Sequence, residues 1–369
     1  MMERRSSLAF CFAAFATWVL AAFVLTGCSK KAPENTEQAK GAATAGPVSL
    51  NGAGATFPYP LYSKWMSEYN HLHPDVLINY QSIGSGGGIR QIIAKTVDFG
   101  ASDAPMTPEE ESKAPSKLDH VPMTLGAVAI AYNLPGVTEL KLTPDALAAI
   151  YLGTVTKWND PKIAEVNPGV KLPDTAIVVA YRSDGSGTTA VFTDYLGKVS
   201  PEWNQKVGVG KSVKFPAGLG AKGNEGVTGQ VKTSPGAVGY VELAYAMQNA
   251  LPTVALKNAS GQFVKPDLAA VSAAAAGVDM PDSLHVSITN ATGEKAYPIS
   301  SFSYILVYED APDAVKGKAL ANFLWWAVHD GQKFSAPLYY AELPAAVVGK
   351  VEARLKALTS GGKPLLSPT

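Results

Sequence analysis

The sequence predicts an α/β protein built on a largely parallel sheet. Three observations carry that reading. Short apolar strands alternate with amphipathic helical stretches, glycine-rich loops join strand to helix, and the 369 residues are 47% apolar and only 17% charged, too apolar for a disordered chain. The length suits about two domains with cores of their own. The 34 Gly and 26 Pro exceed average usage without a triplet period, so they read as turns and backbone-built sites. Basic and acidic residues balance at 31 each. That argues against a nucleic-acid binder working through broad phosphate contacts, while leaving room for one local anion pocket. Five His and two Cys exclude a disulfide framework and cysteine-rich zinc sites.

Arg4 and Arg5 precede an uncharged apolar stretch over residues 8–25, then Gly27 and Cys28. A basic start, an apolar middle and small residues before a cut make a secretory signal. The competing reading is a membrane span, which the length just permits. The run Leu25-Thr26-Gly27-Cys28 resembles the lipobox of bacterial lipoproteins. That resemblance implies removal of residues 1–27 and a fatty-acylated Cys28. Cys11 leaves with the signal, so no internal disulfide can form. Residues 28–47 hold Lys30, Lys31, Glu34, Glu37 and Lys40 with no apolar period, and read as a flexible, lipid-anchored linker.

The body starts with a short strand at residues 48–50. Behind it Leu61, Tyr62, Trp65, Met66 and Tyr69 repeat at helical spacing after Pro60, a helix-start residue. Residues 76–80 alternate like a strand, and Ile89, Ile92 and Ile93 mark a second amphipathic helix. A strand over 97–102 ends at Asp103. Residues 121–132 read as one long strand or a strand pair, and 142–152 as a helix. Trp158-Asn159-Asp160-Pro161 breaks the chain. A strand over 177–181 runs into residues 182–188, after which Val191, Phe192, Tyr195 and Leu196 give a helix face. Strands at 237–241 and 301–308 and helices at 268–276, 314–328 and 347–357 complete the order.

Three loops share one design: Gly54-Ala55-Thr56-Phe57, Gly84-Ser85-Gly86-Gly87-Gly88, and Arg182 to Thr188. Each ends a strand, carries Gly with Ser or Thr, and opens a helix. A helix start presents unpaired N–H groups and a partial positive charge, Gly lets the backbone approach a ligand, and a hydroxyl adds a donor. Any one such loop is better read as an N-cap with a tight turn. Three on one chain, one of them holding Arg182, point to a shared small anion. Nucleotide motifs are absent: there is no Gly-x-x-x-x-Gly-Lys-Ser/Thr, and Phe57 stands where the dinucleotide pattern needs its third Gly. The nucleophile-elbow pattern fails around both Ser85 and Ser186. The five His residues sit in no catalytic or metal-binding context, and His71 and His73 flank Leu72 on a solvated turn.

Residues 52–58, 83–88, 97–105 (Val-Asp-Phe-Gly-Ala-Ser-Asp-Ala-Pro) and 182–188 together resemble the periplasmic phosphate-binding protein of bacterial phosphate ABC transporters. Residues 157–161, 167–169 and 329–333 resemble that family too, and the order holds from about residue 48 to the end. The resemblance implies a two-lobed periplasmic-binding-protein fold, each lobe a sheet flanked by helices, with phosphate between them. One lobe would hold 48–131 and 299–369, the other 132–298. It implies phosphate ligands Thr56 (hydroxyl and N–H), Phe57 (N–H), Ser85, Asp103, Arg182, Ser186, Gly187 and Thr188. It implies no catalytic residue, metal or cofactor. It implies high-affinity phosphate capture outside the cytoplasmic membrane, in the periplasm, with permease subunits and an ATPase as partners and the membrane reached through lipid on Cys28.

Elementary chemistry agrees. Arg is the fork-shaped, permanently charged choice for an oxyanion. A carboxylate beside an anion makes sense if the anion brings a proton: hydrogen phosphate has one to donate and sulfate has none. From the residues alone, Asp103 fits that role or a turn and cap role equally. Asp184 either holds the Arg182 guanidinium or caps a turn, and the Phe57 ring reads equally as core. Two other classes compete. A secreted phosphatase using Ser186 or Ser85 lacks a base and metal ligands in the sequence, and an ester-hydrolysis assay would reveal it. A lipoprotein sensor or adhesin would signal without delivering, which a transport assay separates.

Overall fold

The computed structural model describes residues 46–366. The signal, the Cys28 lipidation and residues 28–45 of the linker lie outside the described residues. β1 (Val48–Gly54) leads to α1 (Tyr59–Leu72), where Pro60 sits in the first turn and Leu61, Tyr62, Trp65, Met66 and Tyr69 face inward. Trp65 is also held by its indole N–H, which donates to the Gly331 carbonyl at 2.7 Å; a buried indole needs such a partner. β2 (Val76–Ser82), α2 (Ser85–Ile93) and β3 (Phe99–Ser102) follow. A capping box at Thr107 and Glu110 opens the short α3 (Pro108–Ser112).

The stretch that reads as one strand or two is one: β4 (Leu118–Tyr132). β5 (Lys141–Leu142), α4 (Pro144–Tyr151) and α5 (Pro161–Ala164) come next, the helices capped by Thr143 and Asp160. Then β6 (Val178–Arg182), α6 (Gly187–Val199) and α7 (Pro201–Lys206) lead to β7 (Leu219–Ala221), α8 (Gly223–Thr233), β8 (Ala237–Glu242) and α9 (Leu243–Gln248). β9 (Ala255–Lys257), β10 (Phe263–Val264), α10 (Leu268–Ala275), β11 (Ser300–Tyr308), α11 (Ala314–Val328), α12 (Ala345–Ala357), β12 (Thr359–Ser360) and β13 (Lys363–Pro364) complete the body.

α8 and α9 are absent from the sequence expectation. α8 carries Gly223, Gly226 and Gly229, a poor helical composition. Tertiary packing overrides it: Val227 and Val231 join Ala131, Ala180, Ala237 and Val241 in one buried cluster. Gly239 on β8 makes the approach possible, because a Cβ there would lie 2.8 Å from both Val227 and Val231.

Eight strands form one sheet in the order β2-β1-β3-β11-β4-β8-β6-β7. The expected largely parallel sheet is parallel only on its flanks: β1 pairs parallel with β2 and β3, and β6 with β7 and β8. Its middle is antiparallel, through β3–β11, β11–β4 and β4–β8. β4 is long enough to serve two neighbours in turn, pairing with β11 as far as Ala127 and with β8 from Val128. The parallel flanks put several strand C-termini, and the helix starts behind them, at one place. That is where ligands bind in open α/β sheets.

Candidate anion-binding site

The three glycine-rich helix starts converge. Gly86 N–H in the second loop donates to the Gly185 carbonyl in the third at 2.8 Å. The Gly187 N–H, first in α6, donates to Ser85 Oγ at 3.0 Å. A Cβ on Gly187 would lie 2.4 Å from Ser85 Oγ and 2.5 Å from Asp103 Oδ2, so only glycine fits there. Gly84, at φ +85°, turns the second loop so tightly that a Cβ would meet Asp184 Oδ2 at 2.3 Å. The first loop joins through Thr56, whose hydroxyl oxygen accepts from the Asn224 side chain at 2.7 Å. All eight residues expected to form the ligand set are buried and belong to this one cluster.

Each has a definite local role. Phe57 packs its ring in the core, edge-on to Tyr340 at 6.4 Å, and Gly126 leaves room for it, since a Cβ there would lie 2.7 Å from the ring. Ser186 caps α6: its hydroxyl oxygen accepts the Thr189 N–H at 3.0 Å, which leaves its own proton to donate. Capping and ligand donation are therefore compatible at this residue.

Asp103 sits at the end of β3 with Ser303 donating to Oδ1 at 2.8 Å and Ser85 Oγ 3.5 Å from Oδ2. Burial raises its carboxyl to about 7, against the opposing pull of Ser303, Arg182 and Ser85. The charged form is poorly solvated here, so the group readily holds, or shares, a proton. Asp103 caps no helix, which removes half of its turn-and-cap alternative.

The Arg182 guanidinium is fixed on one edge by Asp184: Nε donates to Oδ1 at 2.7 Å and Nη2 to Oδ2 at 2.6 Å. Its remaining Nη1 donates to Thr188 Oγ1 at 3.3 Å. Burial alone would raise the Asp184 carboxyl, but the Arg182 bonds and charge, with the Gly223 N–H at 3.1 Å, outweigh it and hold the group below its usual range. Of the two readings of Asp184, the guanidinium holder is the one seen, and it also accepts at the start of α8.

Asn224 and Glu242 also support the cluster, and the sequence reading missed both. Asn224, fully buried on α8, bridges Thr56 and Thr188. Glu242, at the end of β8, caps α9 through the Ala244 N–H at 2.7 Å. Burial pushes its carboxyl well above the usual range. The Tyr340 hydroxyl donates to the Phe57 carbonyl at 2.7 Å and also lies within donating distance of Glu242 Oε2, at 3.1 Å. No spacing signal marks Asn224 or Glu242: one lies in a glycine-rich stretch and the other reads as the polar end of a strand.

Glu111, His120 and His285 place ligand-type atoms within 4.8 Å of one another, beside a cavity of about 610 Å³ that also reaches Asp119 and Arg354. This cavity lies apart from the three helix starts. Burial lowers the His120 ring to about 3, so it is neutral. Its Nε2 accepts the Met106 N–H at 3.0 Å, which leaves the proton on Nδ1 and takes this imidazole out of a metal's ligand set. His71 and His73 are exposed, as expected.

Residues 38–330 match the family described as PBP superfamily domain. The chain is 47% identical over 336 residues to the phosphate-binding protein PstS of Xylella fastidiosa, covering 89% of this chain and 90% of the relative. It is 46% identical to the PstS of Pasteurella multocida, covering 86% and 93%. Among solved structures, a high-affinity periplasmic phosphate-binding protein (PfluDING) bound with phosphate superposes with a TM-score of 0.70 at 23% identity, over 86% of this chain and 100% of that one. The phosphate-binding protein of Stenotrophomonas maltophilia gives 0.68 at 19% identity, over 86% and 96%. These likenesses make the architecture the two-lobed α/β fold of periplasmic binding proteins. By sequence and by fold, the chain belongs to the PstS family of phosphate-binding proteins within the PBP superfamily.

Proposed function

We propose that this protein captures inorganic phosphate outside the cytoplasmic membrane and hands it to the permease of an ABC importer, without chemical turnover. The observation that carries the reading is the pairing of Arg182, a preorganised guanidinium with its outer edge held by Asp184, with Asp103, a buried carboxyl. An anion that accepts from Arg182 and donates a proton to Asp103 satisfies both, and hydrogen phosphate does so where sulfate does not. Thr56, Phe57, Ser85, Ser186, Gly187 and Thr188 complete the ligand shell, with the helix starts of α2 and α6 supplying positive potential. The relatives named phosphate-binding protein PstS support the same ligand.

In this reading residues 48–131 and 299–369 form one lobe and 132–298 the other. The change of partner along β4 after Ala127 supports a crossing near there. The lobes close on the ligand by hinge motion. Contacts across the cleft include Gly86 to Gly185 and Lys211, which donates to the Pro105 carbonyl at 2.9 Å and Glu110 at 2.7 Å. Delivery from a lipid anchor on Cys28 completes the reading.

The deciding experiment is calorimetric titration of the body, refolded free of phosphate, with phosphate, sulfate and arsenate. Tight phosphate binding with no response to sulfate is expected, and silence toward phosphate refutes the reading. The same preparation should leave a phosphomonoester intact. Hydrolysis lost on Ser186→Ala would instead make it a phosphatase. Cys28→Ser should abolish fatty-acid labelling in cells, and labelling that persists removes the anchor from the proposal.

A further inference from the structure

Asn224 lies on α8, outside the ligand shell proposed above, yet its hydrogen bonds decide what that shell can offer. Its Oδ1 accepts the Glu242 backbone N–H at 2.9 Å. A backbone N–H can only donate, so the carboxamide orientation is fixed and Nδ2 must face the cleft. Nδ2 donates to Thr56 Oγ1 at 2.7 Å and to Thr188 Oγ1 at 3.2 Å. The Asn224 backbone N–H also donates to Thr56 Oγ1, at 3.2 Å. Thr56 Oγ1 therefore accepts twice, filling both lone pairs. Thr188 Oγ1 also accepts twice, from Asn224 and from Arg182 Nη1 at 3.3 Å. A hydroxyl with both lone pairs engaged has one capacity left, which is to donate.

We propose that Asn224 is a positioning residue that forces the Thr56 and Thr188 hydroxyls to act as donors, converting two ambivalent groups into a fixed pair aimed at an oxyanion. This deepens the phosphate reading and rests on it. Thr56 belongs to the stretch 48–131, whereas Thr188 and Asn224 belong to 132–298. The Thr56 arm of the bridge therefore exists only when the cleft is shut. The Thr188 arm lies wholly within 132–298 and is set before closure, the preorganisation that favours tight binding, whereas closure and the orientation of the Thr56 hydroxyl are one event.

The test is calorimetric titration with inorganic phosphate of wild type, Asn224→Ala, Asn224→Asp, Thr56→Val and the Asn224→Ala/Thr56→Val double variant, all refolded free of phosphate. Asn224→Ala should weaken phosphate about tenfold to a hundredfold, the effect of a lost hydrogen bond to a charged group. Asn224→Asp keeps the shape, so it serves if the alanine variant does not fold. An ionised carboxylate there turns both hydroxyl protons inward, and binding should be weaker still. A packing role does not predict that order, because the near-isosteric variant would then bind best. If the residue acts through Thr56, the double variant should lose at least about fivefold less affinity than the product of the single losses. Wild-type affinity in Asn224→Asp, or losses that simply multiply in the double variant, overturns the proposal while the phosphate reading stands. A wild-type protein that ignores phosphate removes that reading, and this inference with it.

Discussion

Replacing Asp103 with Asn should make the unligated protein more stable above neutral pH, although Asp103 is central to the proposed site. The carboxyl is 2% exposed, and burial lifts it from 3.8 to about 7. Between those values the folded protein keeps a proton that the unfolded chain has released. The unfolded state then binds fewer protons, so stability falls as pH rises through the window, and the full penalty applies above about pH 7. A rise from 3.8 to about 7 corresponds to about 4 kcal/mol. Because the group is fully buried, solvent screening does not reduce that figure much. Asn has nothing to titrate and still accepts from Ser303. Urea unfolding at pH 4.5, 6 and 8 in phosphate-free buffer should show the two proteins within about 1 kcal/mol of each other at the lowest pH. At pH 8 Asp103→Asn should lead by up to about 4 kcal/mol. A gap that does not widen with pH, or a variant less stable at pH 8, would refute the reasoning about burial. The same variant should admit sulfate. Losing the proton acceptor and the repelling charge should narrow the phosphate-to-sulfate ratio by roughly tenfold to a hundredfold. If phosphate weakens while sulfate stays undetectable, Asp103 does not discriminate between them.

Arg182→Ala should abolish most of the melting-temperature rise that saturating phosphate gives, a rise worth roughly 2.7 kcal/mol at a hundred times the dissociation constant. It should also destabilise the unligated protein by roughly 3–5 kcal/mol, because it strands Asp184 in a partly buried position; scanning calorimetry with and without phosphate reads both effects. Gly187→Ala forces a methyl against Ser85 and Asp103. It should cost roughly 1–3 kcal/mol of overpacking, seen as a rise in the phosphate dissociation constant of about fivefold to a hundredfold. Raising ionic strength from about 0.05 to 0.5 M should change the equilibrium phosphate affinity by less than about threefold, since the recognising groups are buried and little screened.

What the sequence made legible is what short-range chemistry encodes. The apolar spacing from Leu61 to Tyr69, the glycine-rich starts of α2 and α6, and Asp103 at a strand end all declare themselves within ten residues or so. The site residues chosen on those grounds, and on family resemblance, do assemble in one buried cluster. What stayed illegible depends on residues far apart. Asn224 reaches Thr56 across 168 positions of chain, from a helix whose glycines argue against a helix at all. Glu242 reads as a strand end until Tyr340, 98 positions away, contacts its carboxyl. The antiparallel centre of the sheet was equally hidden. β4 and β11 are buried along almost their whole length, so their apolar runs carry no alternation from which strand direction could be read.

The charges in the cluster explain why directed donors, more than net charge, must do the binding. Arg182 is neutralised by Asp184, which the same bonds keep ionised. Asp103 adds a negative charge when it is ionised, and burial favours the neutral form of Glu242. The cluster thus carries no surplus of positive charge to draw in a dianion. What remains is orientation: N–H groups at helix starts, a guanidinium held by one edge, and hydroxyls whose lone pairs are already filled. Such donors lie in a place where water has been excluded, so each is worth more than it would be at the surface. Some of them also bond within the cluster, as Gly187 N–H does with Ser85 Oγ. A hydrogen phosphate has oxygens for the donors and a proton for an ionised Asp103, whereas sulfate leaves that carboxylate without a partner. Selectivity then rests on the ionised form of Asp103, the form that burial makes costly to keep, so replacing that carboxylate should gain stability and lose selectivity together.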